Sequence, residues 1–132
     1  MPQARFAQQC DRLSQAVDKT LHERLVWERT EAPILAGLVA LAHAALDGRE
    51  EFELAEEGAT TAIKRFVLKV HGNRIAGLAL RLVDGRAELA VQAIERSPYQ
   101  VAPGPVLSTP FAGIDAAWMA ASLDELFARI TR

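Results

Sequence analysis

At 132 residues, with 50% apolar and 24% charged side chains, the chain has the make-up of one globular domain large enough to bury a core. A net charge of −2 with no basic run gives no footing for nucleic acid or for an acidic membrane surface. The only cysteine, Cys10, rules out an intramolecular disulfide. The N-terminus lacks the basic-then-apolar pattern of a leader, so the expected location is the cytoplasm.

From about residue 3 to residue 29, apolar residues fall at Phe6, Cys10, Leu13, Val17, Leu21 and Leu25, the spacing of an amphipathic helix. Asp18 and His22 are one turn apart and positioned to clasp each other on its polar face. Thr30-Glu31-Ala32-Pro33 ends this helix and starts a second, with Pro33 in the first turn, where its missing N–H costs little. The second helix runs to Leu46 or Asp47, closed by Gly48, and is apolar almost all round, so it needs cover on more than one side. His43 lies within it without any His-x-x-His, Glu-x-x-His or Cys-x-x-Cys spacing, and reads as structural.

Alternation marks a charge-guarded edge strand at about 51–56. Residues 62–95 then read as three strands joined by turns at His71-Gly72-Asn73-Arg74 and Asp84-Gly85. Asp84-Gly85 favours a type I′ hairpin that sets Val83 opposite Arg86, and hence Leu80 opposite Leu89, Ala79 opposite Ala90 and Arg81 opposite Glu88. At the first turn a three-residue loop sets Leu68 opposite Leu78 and Phe66 opposite Leu80, which merges both hairpins into one apolar face. Pairing the edge strand through Leu54 and Phe66 brings Glu56 to Lys64 and Glu51 to Lys69.

Residues 97–110 hold four prolines, which discourage a central strand; this stretch is either a wrap over the core or a lid. The chain closes with a helix carrying Met119, Leu123, Leu126, Phe127 and Ile130 on one stripe, with Ser122-Leu123-Asp124-Glu125 as a capping box.

The expectation is thus a single α+β domain over residues 1–132: two N-terminal helices, a four-stranded antiparallel meander and a C-terminal helix packed on the sheet. There is no phosphate-binding glycine loop, no nucleophile elbow and no metal-ligand spacing, so no cofactor or metal is expected. Function is sought on the outer sheet face, where Gly77, Ala79 and Ala90 form a small-residue floor edged by Arg65, Arg81 and Glu88, with Tyr99 in the neighbouring loop. The leading expectation is a non-enzymatic binding or adaptor protein, a homodimer that uses this floor or the apolar second helix. Its rival is a small-molecule binding protein or enzyme whose site on this face holds an anionic ligand with Arg65 and Arg81 beneath the 97–113 loop.

Overall fold

The computed structural model describes residues 2–132, which fall into two compact units that divide at Pro33. In the first, α1 (Pro2–Val17) and α2 (Lys19–Thr30) replace the single helix expected over residues 3–29. The break is at Asp18, which is extended (φ −154°, ψ 97°) and whose carboxylate accepts from the Leu21 N–H at 3.0 Å. Aspartate is among the best N-cap residues because its oxygen satisfies a donor that a new helix leaves free. The carboxylate therefore serves the cap, and His22 Nδ1 contacts the Ser14 hydroxyl at 2.9 Å instead of Asp18.

The second unit, from Ile34 on, contains all but the first two residues of α3 (Ala32–Ala45), then β1 (Phe52–Ala59), β2 (Ile63–Val70), β3 (Asn73–Val83), β4 (Arg86–Gln92), β5 (Gln100–Val101), β6 (Leu107–Pro110), α4 (Ala116–Ala128) and β7 (Ile130–Thr131). The fold is α+β, built on an antiparallel sheet of order β1-β2-β3-β4-β6, with β5 and β7 paired separately. The sheet has five strands rather than four. The proline-rich stretch supplies the extra edge, and Pro110 ends it where a missing donor is tolerated.

The β3–β4 hairpin has the expected register, from Val83 opposite Arg86 to Gly77 opposite Gln92. Asp84 (φ 49°) and Gly85 (φ 74°) are both left-handed, as a type I′ turn requires. The β2–β3 hairpin differs from expectation by two residues: Phe66 lies opposite Leu78 and Leu68 opposite Ala76. Its loop is the two-residue His71-Gly72, again left-handed at both positions. Such a loop alone would put Leu68 against Ile75 and turn Leu78 and Leu80 to the wrong side. An extra residue at Ile75 restores the apolar face, and this β-bulge is what the sequence pattern does not display. The β1–β2 register is also two residues away, with Leu54 opposite Leu68 and Glu53, not Glu51, opposite Lys69. Lys64 nevertheless reaches Glu56 at 3.1 Å as a diagonal neighbour, since Glu56 lies opposite Phe66, two residues along β2 on the same face.

The inner face carries Leu54, Phe66, Leu68, Leu78, Leu80, Leu82 and Leu89, all buried. Its cover comes from α3, through Leu35, Leu38 and Ala42, and from α4, through Met119, Leu123 and Leu126. His43 stands edge-on to Phe66 at 5.7 Å, and Phe127 stacks on Phe52 at 6.2 Å. The capping box read at Ser122 is not used. The N-cap of α4 is Asp115, accepting from the Trp118 N–H at 2.7 Å, and Ser122 is buried within the helix. The region between β4 and β6 lies against the end of α4: Arg129 donates to the Pro105 carbonyl at 2.9 Å and Ala102 N–H to the Arg129 carbonyl at 2.8 Å.

Candidate functional site

The outer face of the sheet brings together six of the seven residues singled out from sequence. Arg65, Ala79 and Ala90 form one row across β2, β3 and β4, and Ile63, Arg81 and Glu88 form the next. Ala55, Val67, Gly77 and Gln92 make the row on the other side. The expected rows differ because β2 is offset by two residues, which carries Val67 from the Ala79 row to the Gly77 row. Tyr99 is not part of this face. It lines a separate cavity with Asn73, Arg74, Arg96, Pro98 and Arg132.

The floor is less open than small residues alone suggest. A side-chain carbon added at Gly77 would come within 3.1 Å of Ile94 Cγ2 and 3.3 Å of Gln92 Cγ, so that glycine is covered by its own neighbours. Val67 is 5% exposed. Arg81 Nε donates to Glu88 Oε1 at 2.5 Å, which neutralises one of the two guanidiniums proposed to hold an anion. Of the two arginines, Arg65 is the one that is exposed. None of five concavities found among the described residues is lined by Arg65, Gly77, Ala79, Arg81, Glu88 or Ala90.

A different surface stands out in the helical unit. No described residue of α1 or α2 is buried. Phe6 is 71% exposed, Leu13 53% and Val17 84%, and with the exposed Cys10 they follow the four-three-four spacing of a single helical stripe. Leu21, Leu25 and Val26 on α2 are exposed as well. Outside this unit the sole large apolar side chain that is comparably exposed among the described residues is Val106. The stripe was visible in the sequence as an amphipathic pattern. Its exposure was not, since periodicity shows which side chains need burial without showing what buries them.

The charges on these helices nearly balance. Residues 2–30 contain five basic side chains (Arg5, Arg12, Lys19, Arg24, Arg29) and four acidic ones (Asp11, Asp18, Glu23, Glu28). Two pairs are tied up locally, Arg24 with Glu28 at 3.2 Å and Lys19 with Glu23 at 4.0 Å. Among the described residues no cluster of three or more histidine, cysteine, aspartate or glutamate side chains is placed to hold a metal ion. No helix among them is long and apolar enough to cross a membrane. The chain matches no protein-family model, and neither a curated protein nor a solved structure matches it.

Proposed function

We propose that the protein is a small binding or adaptor module that works as a homodimer, and that two copies meet through the apolar stripe of α1. The observation that carries this reading is the exposure of Phe6, Leu13 and Val17 along one face of a 16-residue helix with no buried residue. A helix of this length is marginal in water unless its apolar face is packed. Burying such a side chain contributes about 1.5–3 kcal/mol. Six of them, three from each copy, therefore contribute roughly 9–18 kcal/mol in total, against an association cost of about 4–15 kcal/mol.

A second copy is favoured as the occupant by charge. Helices with five basic and four acidic side chains neither repel their own kind nor select a strongly charged partner. The outer sheet face is the poorer dimer surface, since Val67 and Gly77 are already covered and Arg81 is ion-paired within the chain. Leu13→Glu tests the reading. It places a carboxylate at the centre of the stripe, should halve the mass in solution, and should leave the circular dichroism of the sheet unit unchanged. A variant with undiminished mass would remove α1 as the interface.

A further inference from the structure

The cavity lined by Asn73, Arg74, Arg96, Pro98, Tyr99 and Arg132 measures about 270 Å³ and lies wholly within the sheet unit. Three arginines from three distant parts of the sequence reach it, in a chain whose net charge is −2, and no aspartate or glutamate is among its lining residues. Among the described residues Arg74 is the one of the three with an ion-pair partner, Glu57 at 2.6 Å through Nη1. Its Nε–H is buried without a hydrogen-bond partner among the described residues. A buried donor without an acceptor is a cost, and guanidiniums that share one concavity give an anion several charge-assisted donors at once.

The cavity is also built, not left over. The bulge at Ile75 turns that residue's carbonyl to accept from Ser97 Oγ at 2.7 Å, and the Tyr99 N–H donates back to the same oxygen at 3.2 Å. This pins residues 97–99 beside the start of β3. Arg96, just before the pin, lies in a turn at φ 62°, a left-handed conformation uncommon for a non-glycine residue. On the far side, Gln100 and Val101 pair with Thr131 and Ile130, which brings Arg132 alongside Tyr99.

We infer that this cavity binds a small phosphate ester, with Arg96 and Arg132 as the principal cationic contacts and Asn73 and Tyr99 adding neutral polar groups. Several guanidiniums facing one concavity suit a tetrahedral dianion, which accepts hydrogen bonds from more directions than a planar carboxylate and carries twice its charge. The cavity's size admits the phosphate and a small organic body, for which Tyr99 and Pro98 offer an apolar wall. The inference is independent of the dimer proposal, because the site contains nothing from α1 or α2.

Thermal melts and calorimetric titration of the full chain with inorganic phosphate, and with acetate and chloride at equal ionic strength, test it. Phosphate should bind and raise the melting temperature where acetate and chloride do not. Arg96→Gln and Arg132→Gln should each weaken phosphate binding about tenfold or more, consistent with loss of one charge-assisted contact. Both side chains are exposed, so the variants are expected to stay folded. Arg86→Gln, whose Nε contacts Ser108 at 2.8 Å on the edge pairing of β4 with β6, should bind as the parent does. Equal stabilisation by all three anions would overturn the inference. So would undiminished phosphate binding in the folded Arg96→Gln/Arg132→Gln double variant.

Discussion

Leu126 is fully buried on α4 at 0% exposure, while its neighbour Phe127 is half-buried and stacked on Phe52. Leu126→Ala removes three carbons from the layer between helix and sheet. At about 0.8 kcal/mol per carbon the lost transfer energy is roughly 2.4 kcal/mol, and the cavity left behind brings the total to about 2–5 kcal/mol. With a urea slope of about 1–3 kcal/mol per molar, a loss of about 3 kcal/mol lowers the midpoint by roughly 1–3 M. Phe127→Ala removes a larger side chain from a half-exposed position, and should cost about 1–2 kcal/mol, part of it the ring stacking. Urea melts followed by far-ultraviolet circular dichroism compare the two directly. If Phe127→Ala shifts the midpoint more than Leu126→Ala does, α4 does not seal the core through the face described.

The caps of α4 give a second prediction: Asp115→Ala should cost about 0.5–2 kcal/mol through the lost bond to the Trp118 N–H, and should exceed Ser122→Ala in denaturant melts. His71, left-handed at φ 52°, should accept glycine with a stabilisation of up to about 1 kcal/mol, read as a rise in melting temperature. Cysteines at positions 79 and 90 should crosslink under mild oxidation because those residues are opposite in the ladder; a pair at 79 and 91 should not. The exposed Cys10 lies on the stripe of α1, so its alkylation should slow as protein concentration rises, and lose that dependence in Leu13→Glu. Ala79→Arg should leave the mass in solution unchanged, since the outer sheet face is not the proposed interface.

The sheet was legible where local chemistry fixes it. Asp84-Gly85 dictates a two-residue left-handed turn, and the whole β3–β4 register follows from it. Around His71-Gly72 the same reasoning picked the right face and the wrong partners. Both a three-residue loop and a two-residue loop with a bulge keep Phe66, Leu68, Leu78 and Leu80 together, and alternation does not separate them. The helix ends were ambiguous because Asp18, Asp115 and Ser122 are all good caps: Ser122 is buried within α4 and Asp115 takes the cap, while at Asp18, where nothing is buried, the local bond to the Leu21 N–H marks the break. The proline-rich stretch hid β6 because an edge strand needs only some of its donors. For the candidate surfaces, Gly77 was read as open space, while Ile94 and Gln92 fill it. Arg74, Arg96 and Arg132 carried no sequence signal at all, since only the bulge, the Ser97 pin and the β5–β7 pairing bring them to one cavity.

The central claim is that the stripe of Phe6, Leu13 and Val17 joins two copies of the chain, and the mass in solution tests it most directly. Sedimentation equilibrium across a wide dilution series should give twice the 14.4 kDa chain mass at high concentration, falling toward the single-chain value on dilution. The Leu13→Glu variant should sediment as a single chain throughout. A wild-type protein that remains at 14.4 kDa at every concentration would contradict the account.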